Sequence, residues 1–252
     1  MKKYKDLEIY KSFIKSELFC TKASSYFYFY EDLMKKYRGK EITFVEIGVQ
    51  RGGSLLMWRD WFGPKARIIG IDLDENAKKM EKYGFEIFIG DQSSKEFWKK
   101  FFDKIGMVDI ILDDGAHTNE AQIITTFHTV NFINDGGLLI IEDTGSSYLK
   151  KYSNPQKYSF INYSKFLIDD LFYRGSKQVA INKKKMSLND KIYSIKYFPE
   201  IVAFEIDRQK CVKSESLWNK DINDKTIDPI VDTENYSNPR WSTSSYVTTF
   251  DM

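Results

Sequence analysis

The sequence predicts an α/β fold: a doubly wound, mostly parallel seven-stranded sheet, closed by an antiparallel hairpin and preceded by N-terminal helices. Three observations predict it. Five short apolar runs between residues 42 and 143 each end in a glycine or an acid. Segments with helical spacing separate them, and strands alternating with helices build a parallel sheet through right-handed crossovers. Two further strand-like segments then flank Phe198-Pro199-Glu200, the spacing of a tight hairpin.

Taken in order, Lys11–Phe19 and Tyr26–Tyr37 have apolar residues at helical spacing, and Gly39 ends them. The five runs are Ile42–Gly48, Arg67–Asp72, Phe85–Asp91, Val108–Asp114 and Gly137–Asp143. The helical stretches between them are Ser54–Trp61, Asn76–Tyr83, Ser94–Phe102 and Glu120–Phe132. After Thr144 a Ser-, Tyr- and Asn-rich loop is expected, with Tyr148, Tyr152 and Tyr158 available as a lid. A helix follows over Tyr163–Tyr173. A Lys-rich connection with Lys183, Lys184 and Lys185 leads to strands Ile192–Tyr197 and Ile201–Ile206. The expected organisation is a helical appendage (1–40), one α/β domain (41–207) and an irregular extension (208–252). Trp218, Tyr236, Trp241 and Tyr246 of that extension are expected to pack on the body or on a partner subunit of a homo-oligomer.

Composition narrows the function classes. Of 252 residues, 16% are aromatic, enough to bury a core and to exclude disorder throughout. The 38 Lys and Arg balance 36 Asp and Glu, so no electrostatic footprint for nucleic acid exists. Cys20 and Cys211 can build neither a disulfide framework nor a four-cysteine zinc site. With no apolar signal-like segment and no run of transmembrane length, the expected compartment is the cytoplasm. Richness in Lys, Asn, Ile, Tyr and Phe points to AT-biased coding.

In parallel sheets ligands sit beyond the carboxyl ends of the strands. There the first run turns through Glu46-Ile47-Gly48-Val49-Gln50-Arg51-Gly52-Gly53-Ser54 into a helix. The glycines do not match G-x-G-x-x-G, and the Glu46 carboxylate would repel a pyrophosphate. A nucleoside with a cationic head fits better, which is S-adenosylmethionine. Asp72 ends the second strand, where an acid accepts ribose hydroxyls, and Asp91 ends the third, where an acid can hold an adenine amino group. The expected cofactor set is Glu46, Gly48, Arg51, Ser54, Asp72, Asp91 and Asp113. Arg51 can equally reach a substrate anion or pair with a local acid.

Asp113-Asp114-Gly115-Ala116-His117 ends the fourth strand and Glu142-Asp143 the fifth. Acids converging from neighbouring strands need a cation. Oxygen donors favour Mg²⁺, with Mn²⁺ or Ca²⁺ as alternatives. His117 is placed to take a proton from an alcohol whose pKa a metal has lowered. His128 falls mid-helix and is given no role. Two histidines are also poorly placed for a two-histidine, one-carboxylate iron site.

Val45–Leu55 resembles motif I of class I S-adenosylmethionine-dependent methyltransferases. With Met57-Trp58-Arg59-Asp60 it is similar to one subgroup, the macrolide-sugar and rhamnosyl O-methyltransferases together with proteins named after cephalosporin hydroxylase. Asp113–His117 and Glu142–Thr144 resemble that subgroup's metal and base motifs. The resemblance implies that Asp114, Glu142 and Asp143 hold the metal and that His117 is the base. It also implies a Rossmann-like methyltransferase fold. Ala116 replaces the usual Ser, and Gly145 stands where many members place a His. Ile192–Ile195 and Val202–Glu205 resemble the closing hairpin, so the likeness runs over roughly residues 40–206.

The expected function is O-methylation of a sugar hydroxyl, of a bacterial surface glycan such as capsule or lipooligosaccharide or of its nucleotide-linked precursor. Alternatives are a non-sugar oxygen (a catechol or a capsular phosphoramidate), an NAD-dependent oxidoreductase, and a non-catalytic nucleoside-binding module.

Overall fold

The structure, a computed structural model, describes residues 3–152, 158–173, 186–212 and 217. The lysine run at 183–185 and the tail aromatics lie outside the described residues. The chain divides after Lys213.

Seven strands form one sheet. They are β1 (Thr43–Ile47), β2 (Arg67–Asp72), β3 (Glu86–Ile89), β4 (Val108–Asp113), β5 (Ile133–Ile141), β6 (Ile192–Phe198) and β7 (Ile201–Ile206). Their order is β3-β2-β1-β4-β5-β7-β6. The first five run parallel, and β7 pairs antiparallel with both β5 and β6. The mixed sheet with its closing hairpin is the Rossmann-like methyltransferase architecture. The order reverses beside β1, so β1 and β4 diverge at the crevice where ligands bind in such sheets.

Alternation along the strands sorts the core into two layers. Phe44 of β1, Ile110 and Leu112 of β4, and Leu138 and Ile140 of β5 face the first layer. Val45, Ile111, Leu139 and Ile141 face the second. Helices α1 (Glu8–Lys15), α2 (Tyr26–Met34) and α3 (Gly53–Phe62) cover the first face; α4 (Lys95–Ile105), α5 (Asn119–Thr129) and α6 (Phe160–Tyr173) cover the second. Tyr26, Phe27, Phe29 and Tyr30 of the N-terminal helices are buried among the same residues as α3.

Beyond end shifts such as β5 starting at Ile133 and α6 at Phe160, and 3₁₀ turns at Lys35–Tyr37 and after Asp143, two elements differ in kind from the spacing-based expectation. α1 stops at Lys15 and does not reach Phe19, because Ser16 turns extended and its hydroxyl bonds to Leu18 O and Gly53 O. The chain therefore crosses α3 as an open segment before α2. The Asn76–Tyr83 stretch folds as a 3₁₀ helix, Glu75–Tyr83, capped by Asp74.

Gly48 fixes how closely the loop after β1 approaches β4. Its φ is +93°, and a Cβ there would lie 2.1 Å from Asp114 O. Only glycine permits that contact.

Trp58 of α3 is fully buried against Tyr30, Phe44 and Phe62. Its indole N–H donates to Glu46 Oε1 at 3.0 Å. Trp58→Phe removes that donor from a buried acceptor and is expected to cost about 1–3 kcal/mol. Urea denaturation measures it, and an unchanged midpoint would contradict the packing described.

Candidate functional site

Strand ends β1, β2, β3 and β4 surround a cavity of about 190 Å³ lined by Gly48, Gln50, Asp72, Asp91, Gln92 and Asp114 among others. Asp72 shapes it directly. Its Oδ2 accepts from Val49 N at 2.8 Å and Gln50 N at 2.9 Å, and its Oδ1 from Asp74 N. The acid at the end of β2 thus holds the loop after β1 in place as well as facing the cavity. Asp91 Oδ1 accepts from Ser93 N.

The other residues of the expected cofactor set stand differently. Glu46 is fully buried and accepts from Ser54 Oγ at 2.7 Å and from Trp58, so Glu46 and Ser54 bond to each other behind the cavity. Burial pushes the Glu46 carboxyl up to about 7. Asp113 is buried on the opposite face of the sheet, where Gln92 Nε2 donates to both its oxygens at 3.0 Å. Burial raises it to about 6. Gln92 also accepts from Ala116 N, tying β3's end to the Asp113–His117 turn. Arg51 is exposed and stacks over Phe19 at 5.1 Å. With Ser54 it lines a narrow recess beside Phe19, Cys20 and Lys22 rather than the larger cavity.

Beyond β4 and β5, Asp114, His117 and Asp143 offer donor atoms that all lie within 4.8 Å of one another. His117 Nε2 is 3.4 Å from Asp143 Oδ2 and 3.9 Å from Asp114 Oδ1. His117 Nδ1 is buried and has no hydrogen-bond partner among the described residues. The Tyr26 hydroxyl donates to Asp143 Oδ1 at 2.5 Å. Two carboxylates and an imidazole, half-buried and converging, are a donor set that fits a hard divalent ion.

Glu142 stands apart from this set. Like Ile140 it points into the N-terminal layer, where the Tyr30 hydroxyl donates to its Oε1. Its Oε2 accepts from the Lys22 ammonium at 2.9 Å, and the same ammonium donates to Asp114 Oδ2 at 2.6 Å. Burial pushes Glu142 above the usual carboxylate range, with Lys22 pulling the other way. Burial also works against charge on Lys22, but Glu142, Asp114 and Glu46, with Tyr30, outweigh it and hold the ammonium well above the ordinary lysine value.

A second cavity, about 310 Å³, opens between the β5 end and the hairpin turn. His117, Asp143, Leu149, Tyr152 and Glu200 line it. A Cβ on Gly145 would meet Glu200 Oε2 at 2.2 Å, so a side chain at 145 would require the Glu200 carboxylate to move aside. Gly145 N donates to that oxygen, and Glu200 O accepts from Thr144 N. Among the described residues four non-glycines have positive φ: Gln50 (46°), His117 (54°), Asp143 (52°) and Glu200 (65°). All four line one of the two cavities. Backbone strain concentrated in this way marks sites where side-chain placement outweighs local stability. Tyr152 reaches His117, whereas Tyr148 and Tyr158 are exposed.

Lys22, Tyr26, Tyr30 and Glu200 escaped sequence reasoning, because they reach the site from the N-terminal segment and from the hairpin turn. Pro199-Glu200 did hold a signal, since a glutamate sits where the turn favours glycine.

No protein-family model matches the chain. It is 30% identical over 155 residues to 8-demethyl-8-alpha-L-rhamnosyl tetracenomycin-C 2'-O-methyltransferase of Streptomyces olivaceus, covering 57% of this chain and 40% of that protein. It is 32% identical over 127 residues to mycinamicin VI 2''-O-methyltransferase of Micromonospora griseorubida, covering 47% of this chain and 31% of that one. The chain thus spans well under half the length of these curated relatives. Among solved structures, the MycE methyltransferase of the mycinamycin pathway, in complex with Mg and SAH, superposes with a TM-score of 0.72. That match is at 22% identity, over 87% of this chain and 58% of that one. The fold is that of the methyltransferases, and the sequence resemblance is to the sugar O-methyltransferase subgroup.

The raised carboxyls set a pH dependence. Glu46 at about 7 and Asp113 at about 6 keep their protons in the folded chain to higher pH than in the unfolded chain. Unfolding therefore releases protons, and their contribution to stability falls as pH rises from the ordinary carboxylate range to about 7. Calorimetric scans from pH 5 to 7.5 should show a downward trend in wild-type Tm that is flatter in Glu46→Gln. Equal slopes would refute the assignment of Glu46.

Proposed function

We propose that this chain is an S-adenosylmethionine-dependent O-methyltransferase acting on a sugar hydroxyl with divalent-metal assistance. The observation that supports it most is the shared Asp114. This residue lines the cofactor-side cavity and also joins His117 and Asp143 in the metal-fitting set beside the second cavity. A methyl donor and an acceptor hydroxyl held in the two cavities would thus meet at one strand end.

Asp72, Asp91 and the loop from Gly48 to Gly52 would hold the nucleoside. Asp114 and Asp143 would hold the metal together with the acceptor's oxygens, with Glu142 beside them. When bound, S-adenosylmethionine supplies the methyl group and a divalent ion lowers the pKa of the hydroxyl it contacts. His117, which lines the second cavity, accepts the hydroxyl proton at Nε2, the ring nitrogen turned toward Asp114 and Asp143. Tyr26 orients Asp143 through its hydroxyl, and Tyr152 limits water at the acceptor side. Methyl transfer forms the C–O bond and breaks the C–S bond, leaving S-adenosylhomocysteine and the proton on His117.

The printed activities of the relatives, methyl transfer to rhamnosyl and macrolide sugars, support a sugar acceptor. The AT-biased composition favours a bacterial surface glycan or its nucleotide-linked precursor over an actinobacterial antibiotic. The second cavity suits a vicinal diol, which would chelate an ion through both oxygens. A cytoplasmic site of action agrees with the expected nucleotide-linked acceptor, and among the described residues no helix is long and apolar enough to cross a membrane.

Incubation with S-adenosylmethionine, Mg²⁺ and a panel of nucleotide-linked sugars, read by mass spectrometry, tests the reading. A methylated product is expected, lost in EDTA and regained with Mg²⁺ or Mn²⁺. His117→Ala should lower turnover by about 10²–10⁴-fold. Turnover at the wild-type rate in exhaustive chelator, or in His117→Ala, would remove the metal or the base respectively.

A further inference from the structure

Lys22 lies in the open segment between α1 and α2, and its side chain is 2% exposed. Its Nζ is 2.6 Å from Asp114 Oδ2, 2.9 Å from Glu142 Oε2 and 3.9 Å from Glu46 Oε1. Among the described residues no other lysine or arginine lies within 4.0 Å of these carboxylates. Glu46 and Glu142 are completely buried, so water does little to screen them. Both Glu142 oxygens are already engaged, Oε1 by Tyr30 and Oε2 by Lys22. An oxygen that accepts from an ammonium has less electron density to offer a second cation, and the two cations repel. One unit of positive charge from the chain itself therefore sits on two of the acids that the sequence assigns to a metal.

We propose that the Lys22 ammonium is the resident counter-ion of this acid patch and competes with a divalent ion for Asp114 and Glu142. The inference rests on the metal-assisted reading above, though not on methyl transfer itself. Lys22 then lets the acids stay folded together without metal, and it sets metal affinity lower than three carboxylates alone would give. Metal loading pushes the ammonium off the carboxylates. Lys22 lines the recess with Phe19, Cys20, Arg51 and Ser54, and because that recess shares Gly48, Gln50 and Asp114 with the larger cavity, the displacement reaches the edge of that cavity.

Titration with Mn²⁺, followed by paramagnetic resonance of the free ion and without any methyl donor, reads the competition. Lys22→Met keeps the stem and removes the charge. It is expected to bind Mn²⁺ at least about tenfold more tightly than wild type, since a nearby like charge is gone. Its Tm in chelator should fall below that of wild type and rise further on adding Mn²⁺. Lys22→Arg keeps the charge and should titrate close to wild type. Unchanged or weaker Mn²⁺ binding by Lys22→Met, or no Mn²⁺ binding by either protein, overturns the proposal. If Lys22→Met does not fold, acetylation of wild-type Lys22, followed by peptide mass spectrometry, replaces it. Labelling should rise several-fold with Mn²⁺ loading, and equal protection with and without Mn²⁺ overturns the proposal. Failure of wild type to bind S-adenosylhomocysteine would instead defeat the proposed function, a result independent of the Mn²⁺ titrations.

Discussion

Even-numbered residues of β1, β4 and β5 share one face of the sheet, and at the carboxyl edge this places Glu46, Asp114 and Glu142 in one patch under the N-terminal helices. The register enforces it: Glu46 pairs with Leu112 and Leu112 with Ile140, so Asp114 and Glu142 stand one step further along the same face. Like charges brought together out of water repel, and burial raises the carboxyls of Glu46 and Glu142. The N-terminal segment answers that repulsion. Lys22 donates to Asp114 and Glu142 and Tyr30 to Glu142, while Ser54 and Trp58 of α3 donate to Glu46, and α2 and α3 bury the first core layer in the same act. Residues 1–40 thus shape the site as well as packing on the sheet.

The odd-numbered acids behave otherwise. Asp113 follows alternation to the second face, where Gln92 and Gly115 N satisfy it. Strict alternation would send Asp143 there too. Its left-handed backbone breaks the pattern and lets its carboxylate join Asp114 and His117, itself left-handed. Glu200, also left-handed, closes the same cavity from the hairpin. Strain here is the means by which residues from two strands and a turn reach one volume.

The alternation of apolar runs and helical stretches made the sheet legible, since a parallel sheet buried on both faces leaves uninterrupted Val, Ile and Leu runs. The ligand edge was legible for the same reason: Gly48, Asp72, Asp91, Asp114 and His117 all end strands or follow them directly. The partition of the acids was legible in principle, because parity alone separates 46, 114 and 142 from 113. The donors that partition them were not. Lys22 and Tyr30 lie far from the acids in the chain, and nothing in local periodicity distinguishes a lysine that will be buried from its many exposed counterparts. What stands beside Gly145 is visible only in three dimensions, where the Glu200 carboxylate takes the space next to it.

A nucleoside held by the ends of β1, β2 and β3 is the premise of the whole account. Isothermal titration of S-adenosylhomocysteine into wild type and Asp72→Ala addresses it directly. The account predicts saturable binding by wild type and at least about a tenfold loss in Asp72→Ala, because that carboxylate both faces the cavity and anchors Val49 and Gln50. Equal affinity in the two proteins, or binding of NAD in place of S-adenosylhomocysteine, would contradict it.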